Sequence, residues 1–177
     1  VMAVRMRMAL VPQGGTLVPN PHGPPGFCME NVYVLAGIPQ VMQSMVNALE
    51  GKIVIDCVNP LGFDKQGAFG LEVPEGSAAQ QAAGLLPGSR VTGAFHHISA
   101  VLLLDESVDS IDTDVLVLGD DREATDITQA LANRIPGIRG IYAGRLRNCG
   151  QVEAMTANLI SMNRRYKAHA GVRVTDV

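Results

Sequence analysis

The chain has 177 residues, enough for one domain with a real core, and a formal charge of only −3. Apolar residues make up 47% and charged residues 18%, a balance that points to a folded globular protein rather than a disordered one. So mild a charge gives no electrostatic reason to expect nucleic acid or an anionic membrane as partner, and no apolar run approaches the ~20 residues of a membrane span. The N-terminus lacks the charged, apolar, small-residue order of a signal peptide, so a cytoplasmic protein is expected, and Val1 in first place fits a fragment. Cys28, Cys57 and Cys149 are odd in number and far apart, with no CxxC pair and no Cys/His spacing. Reduced thiols and no metal are expected from that pattern.

Apolar strand-like runs alternate with helical patterns, the signature of α/β layers. Residues 6–11 read as a first strand, 12–27 as an irregular Pro- and Gly-rich loop, and 31–36 as a second strand. Val41, Met42, Met45 and Leu49 give residues 39–49 a helical spacing, with Pro39 in the first turn and Gly51 at the C-terminal cap. Residues 53–58 show little polar alternation, as expected of a central parallel strand. A loop over 61–76 follows, then a helix from a Ser77 cap to Leu86, stopped by Pro87-Gly88. Residues 91–95 read as a strand, 96–110 as a mixed connection and 115–118 as another strand. Asp120 and Glu123 form a capping-box-like pair before a helix with Ala124, Ile127, Leu131 and Ile135 on one face. After Pro136-Gly137 comes a short strand over 138–142. The longest helix is expected over 149–166, with Val152, Met155, Leu159 and Met162 in a stripe and Arg164, Arg165 and Lys167 at its end. Residues 172–174 read as a final strand or an extended tail. The expected fold is α/β: a partial Rossmann-like, mostly parallel sheet with flanking helices and a long C-terminal helix.

A Rossmann-type dinucleotide site needs glycines at a strand-to-helix turn, so that backbone N–H groups approach a pyrophosphate. No GxGxxG occurs in the chain, and Gln13-Gly-Gly-Thr16 runs into Pro19 and Pro21, which cannot open a helix. His96-His97, near a strand end, could orient a ring, donate a hydrogen bond or shuttle a proton. Adjacent positions on a strand point to opposite faces, so at most one of them faces a given site, and either can be a satisfied buried histidine. Asn59 falls at the carboxyl end of the 53–58 strand, where ligands collect in open α/β sheets. Asn59-Pro60 can equally be turn chemistry alone. Arg145 and Arg147 suit a phosphate or carboxylate, and Asn148 suits a helix cap.

These features occur in one order. Lys52-Ile-Val-Ile-Asp-Cys-Val-Asn-Pro-Leu-Gly-Phe63, Glu75-Gly-Ser-Ala-Ala79 and Ala94-Phe-His-His-Ile-Ser-Ala100 are followed by Asp114-Val-Leu-Val-Leu-Gly-Asp-Asp-Arg-Glu123. Tyr142-Ala-Gly-Arg-Leu-Arg-Asn148, Val152-Glu-Ala-Met-Thr156 and Asn163-Arg-Arg-Tyr-Lys-Ala-His-Ala-Gly-Val-Arg173 complete the pattern. Over residues 51–177 it resembles the NADPH-dependent F420 reductases. The resemblance implies NADP and the deazaflavin coenzyme F420 as cofactors, with direct hydride transfer between them and neither a metal nor a catalytic acid or base. Distance and orientation are then the protein's contribution. It further implies that His96 and Ile98 line the deazaflavin pocket and that Asn59 and Ala100 lie by the nicotinamide. Asn148 and Thr156 would fall in the loop and helix that close the site, and Ala170 near the terminal contacts.

Residues 6–50 are different. Arg7-Met-Ala-Leu-Val-Pro12, Pro19-Asn-Pro21, Pro25-Gly-Phe27 and Asn31-Val-Tyr-Val-Leu-Ala-Gly-Ile-Pro39 resemble the tail of a molybdopterin-binding domain. Residues 1–50 therefore read as one unit and 51–177 as another. The first would supply a βα unit that docks, by the right-handed crossover rule, against the strand at 53–58. Pro39 would then sit near the nicotinamide. Three functions follow: an F420-dependent oxidoreductase with weak or absent NADP binding, a molybdopterin-binding module, or a non-catalytic homodimer using its long helix.

Overall fold

The computed structural model describes residues 13–18, 20, 26–29, 32–34 and 49–177. The strand expected over 6–11, all but the last residue of the helix expected over 39–49, and with it Pro39, lie outside the described residues.

β1 (Thr16–Val18), β2 (Gly26–Met29) and β3 (Val32–Val34) form a small antiparallel sheet, with Thr16 opposite Cys28 and Phe27 opposite Val34. The expected irregular loop thus contributes strand residues, because the Thr-Leu-Val run has strong β preference despite the prolines around it. Among the described residues β3 pairs antiparallel with β2, and β4 (Ile53–Asp56) belongs to another sheet; the helix of the expected β-α-β unit lies outside the described residues.

The main sheet has the order β4, β7 (Arg90–Gly93), β8 (Thr113–Gly119), β9 (Ile138–Gly144). β4 and β7 run parallel, as do β8 and β9, while β7 and β8 meet antiparallel over Thr92–Gly93. Two of three pairings are therefore parallel. β4, expected at the centre, lies at an edge of this sheet among the described residues, which leaves Ile53, Val54 and Ile55 only half-buried.

The glycine-rich stretch expected as a loop folds as a hairpin, β5 (Leu61–Asp64) with β6 (Gly67–Gly70). Asp64 Oδ1 accepts from Gln66 N at 2.7 Å and Gly67 N at 3.1 Å, and Gly67 takes φ +131° in the turn. Gly62 is opposite Phe69, whose ring fills the space a side chain there would need. The glycines thus build the strand pair that they hide in the sequence.

α1 (Ala78–Leu85) starts as expected, with Ser77 Oγ accepting from Gln80 N at 3.0 Å. α2 (Ala100–Leu104) is a short helix within the expected mixed connection. α3 (Arg122–Ala132) is capped by Asp121 rather than Asp120, its carboxylate accepting from Ala124 N at 2.8 Å. Its inward face carries Ala124, Thr125, Thr128 and Ala132, and the expected Ile127 and Leu131 are about half exposed. The reason is distance. α3 approaches β9 so closely that a Cβ on Gly140 would lie 2.6 Å from Gln129 Cα, leaving room only for small side chains. The Thr128 hydroxyl, buried there, donates to Ala124 O at 2.8 Å and meets the Thr92 hydroxyl at 3.1 Å. Gly140→Ala is accordingly expected to lower stability by about 2 kcal/mol through overpacking, read as a shift of the urea midpoint.

α4 (Cys149–Tyr166) occupies the span the sequence predicts. Val152 and Leu159 are buried, Met155 is half-buried, and Met162 is about half exposed. The core falls on the two faces of the main sheet. Ala79, Ala82, Val91, Leu118, Leu146 and Val152 form one cluster, and Ala94, Ile111, Val115, Val117, Ala132 and Ile138 the other. Residues 172–174 form an extended tail without strand pairing, bonded to Thr113 and Asp114 of β8. Among the described residues no helix is long and apolar enough to cross a membrane.

Candidate functional site at the strand ends

Parallel pairing sets Asp56 of β4 opposite Gly93 of β7, so the two strands end side by side. The chain leaves β4 through Cys57-Val58-Asn59-Pro60 and leaves β7 through Ala94-Phe95. Phe95 has φ +63°, a conformation costly for a bulky residue, which reverses the chain sharply. His96 and His97 therefore lie in a turn and not on a strand, and both are buried. Their rings still diverge. His97 Nε2 accepts from Leu116 N of β8 at 3.4 Å, while the His96 ring joins Asp56 and Glu153.

Three of the predicted residues converge here. Asn59 Nδ2 donates to His96 O at 2.8 Å. Thr156 Oγ1, on α4, lies 3.1 Å from His96 O and 3.2 Å from Asn59 Oδ1, so its single proton serves one of the two acceptors at a time. These bonds lock the turn after β7, the Asn-Pro turn after β4 and the first half of α4 into one platform. Ile98 is half-buried just beyond it and Ala100 is exposed at the first position of α2. Ser99 Oγ meets His169 Nδ1 at 3.2 Å, and Ala170 N donates to Asn163 Oδ1 at 2.6 Å, so the 98–100 turn and the 169–170 segment adjoin. Asn148 takes no part in these bonds. It precedes α4 in helical conformation and makes no side-chain capping bond, so the capping alternative does not hold. Arg145 reaches Asp120 at 3.8 Å with both side chains largely in solvent, a pair of small energetic weight.

Behind the platform lies a cluster of buried ionisable groups. Burial pushes the His96 imidazole down to about 4, with His97 adding to the effect, so His96 is neutral near pH 7. Burial also pushes the Asp56 carboxyl up to about 6, against the Val58 N–H that favours its charge and helped by Glu153. Glu153 is raised by burial too, although Ala78 N and Ala79 N at the start of α1 donate to it at 3.0 and 3.2 Å. Beside them the Cys149 thiol is fully buried and pushed up to about 12, first by burial and then by the charge of Glu153. Helical spacing alone could have marked Glu153, which lies four residues after Cys149 and three before Thr156, on the same face.

A groove of about 580 Å³ opens between the β5–β6 hairpin and the end of α4, lined by Phe63, Gly67, Ile160, Ser161 and Arg164 among others. None of the predicted site residues lines it.

No protein-family model matches the chain. It is 37% identical over 139 residues to the F420-dependent NADP reductase of Methanothermobacter marburgensis, an overlap of 76% of this chain and 62% of the relative. The chain is related to the F420-dependent NADP reductases. With the enzyme of that name from Methanocaldococcus jannaschii, identity is 36% over 150 residues, covering 82% of this chain and 64% of the other. The chain thus spans less than two thirds of the length of these reductases. A protein of Arthrobacter sp. FB24, described as a candidate F420-dependent NADP-reductase, has a crystal structure that superposes with a TM-score of 0.66. That match covers 77% of this chain and 64% of the other, at 20% identity, and supports the α/β fold alone.

Proposed function

We propose that the chain is an oxidoreductase of the F420-dependent NADP reductase type, acting in hydride transfer between NADP(H) and coenzyme F420. The observation that carries the reading is the platform of Asn59, the His96 carbonyl and Thr156 at the carboxyl ends of parallel β4 and β7, where α/β proteins take their ligands. When bound, the coenzymes supply the redox chemistry. The protein's part is positioning. The Asn59 amide is held by two partners and keeps a second N–H to offer the nicotinamide, with Ala100 beside it. The turn carrying His96 and Ile98 backs the deazaflavin. Thr156 on α4 and Asn148 in the turn before it close the site, and Ala170 supports its far rim. With His96 neutral and Asp56 behind the platform, no side chain here is assigned as a proton donor or acceptor in the reaction.

The two coenzymes are not served equally. Nothing in the sequence supplies a Gly-rich phosphate cradle, so F420 is expected to bind with micromolar affinity and NADPH much more weakly. Titration of the full chain, followed by coenzyme fluorescence, measures both. Absence of F420 binding by a folded chain ends this reading, and micromolar NADPH binding ends the inequality. The same proposal treats 1–50 and 51–177 as separate units, supported among the described residues by the separate sheets of β1–β3 and β4–β7–β8–β9. It also treats the protein as a cytoplasmic homodimer, and the exposure of Met162 and Tyr166 on α4 supports the dimer. A monomer in sedimentation would remove the dimer.

A further inference from the structure

Behind the platform, three ionisable side chains from three elements reach one buried point. Asp56 ends β4, His96 sits in the turn after β7, and Glu153 lies in the second turn of α4. Each offers a ligand atom, and these atoms lie within 4.8 Å of one another. The residues are 9%, 3% and 2% exposed, so bulk water does not screen them. Neither ring nitrogen of His96 has a hydrogen-bond partner, an uncommon state for a buried imidazole and one that points to a missing companion. Among the described residues, neither Asp56 nor Glu153 is in an ion pair.

We propose that Asp56, His96 and Glu153 bind one divalent transition-metal ion of the zinc type. The donor set is one imidazole nitrogen and two carboxylates, which suits zinc, cobalt or nickel; magnesium and calcium prefer all-oxygen shells of higher number. Two carboxylates balance the charge of the ion, and His96 gains the partner it lacks. The supporting bonds are already in place. Val58 N donates to Asp56 Oδ1 at 3.0 Å, and Ala78 N and Ala79 N each hold one oxygen of Glu153, so the carboxylates are oriented while every oxygen keeps a lone pair for an ion. A water takes the fourth position. The ion acts as a brace: it fixes the turn whose carbonyl meets Asn59 and Thr156, and it takes no part in redox chemistry. The site does not rest on the coenzyme reading, and cysteine spacing could not have announced it, because its ligands are an Asp, a His and a Glu far apart in the chain.

The rival occupant of the space is an ordered water. The full chain, stripped with a chelator and dialysed, is titrated with Co²⁺ by its visible d–d absorption and with Zn²⁺ by competition with a chromophoric chelator. One equivalent is expected to bind. Asp56→Asn, nearly the same shape, and His96→Asn are each expected to weaken binding by more than about 100-fold, beyond the usual effect of an outer-shell change. Zn²⁺ should raise the melting temperature of the wild-type chain but not of Asp56→Asn. A chain with a folded circular dichroism spectrum that takes up no Co²⁺ or Zn²⁺ overturns the proposal. So does uptake that Asp56→Asn leaves unchanged.

Discussion

Asp114→Asn is expected to lower the stability of the folded chain by about 3 kcal/mol and to release the C-terminal segment from the sheet. The Asp114 side chain is fully buried in β8. Its carboxylate takes the fork of Arg139 at 2.8 and 2.7 Å, Arg173 Nη1 at 2.5 Å and Val174 N at 2.7 Å. Asn can return only one oxygen to these donors and turns an NH₂ toward cations. The figure sits at the low end for a broken buried pair because the arginine side chains are 41% and 37% exposed and can rehydrate. Arg173 also pairs with exposed Asp112, which softens its loss further. The Arg139 hydrogen bonds, helped by Val174 N–H and Arg173, hold the Asp114 carboxyl far below the usual carboxylate range against the opposing effect of burial. A depressed folded value means that the unfolded chain binds the proton first as pH falls. The contribution is therefore fully present above about pH 4 and is lost on further acidification. Asp56 acts with the opposite sign in another window: its folded value of about 6 favours the folded chain at low pH and loses that advantage between about 4 and 6. Urea midpoints at pH 7 and pH 3 for the wild type and Asp114→Asn separate the two. The wild type should lose stability below pH 4 that the variant has already lost, and carboxypeptidase should trim the tail of the variant faster.

The elements legible in the sequence were those whose signals are local. Ser77, the Pro87-Gly88 stop and the apolar period of residues 149–166 each act within a turn or two of themselves, so α1 and α4 read directly. The misread stretches are those where long-range packing decides. Glycines at 62, 67 and 70 look like loop, but a hairpin uses Gly62 as the seat for Phe69 and Gly67 for its turn. Ile127 and Leu131 look like an inward face, but the close approach of α3 to Gly140 selects alanine and threonine instead. At the site, Asn59 and His96 were readable as strand-end candidates and Thr156 only through the resemblance, but their hydrogen bonds could not be read from spacing, since Asn59 and Thr156 lie 37 and 60 residues from His96. The buried Asp56 behind them is hidden for the same reason: nothing local marks it as half of a pair with a glutamate on the last helix, although helical spacing sets that glutamate on the face of Thr156.

Asn59→Asp is expected to weaken F420 binding by about 30-fold, which corresponds to about 2 kcal/mol, with a similar loss of stability. The change keeps the shape and removes one donor. Asn59 Nδ2 gives its hydrogen to His96 O at 2.8 Å; an aspartate oxygen there would face a carbonyl oxygen, lone pair against lone pair. Thr156 softens the effect, since its hydroxyl can donate to the new carboxylate, but it then abandons His96 O. The His96 carbonyl would be left without a donor, and with it the turn that the proposed deazaflavin contact needs. Partial burial and the facing carbonyl raise the new carboxyl's pKa, and the protonated acid regains a donor in the position of the lost amide. Affinity of the variant relative to the wild type should therefore recover as pH falls through that raised value, while the wild-type comparison at each pH removes the contributions of Asp56 and Asp114. A variant equally weak at every pH would mean that Asn59 matters only as a shape in the Asn-Pro turn. A variant that binds F420 like the wild type would remove the platform from the coenzyme site altogether.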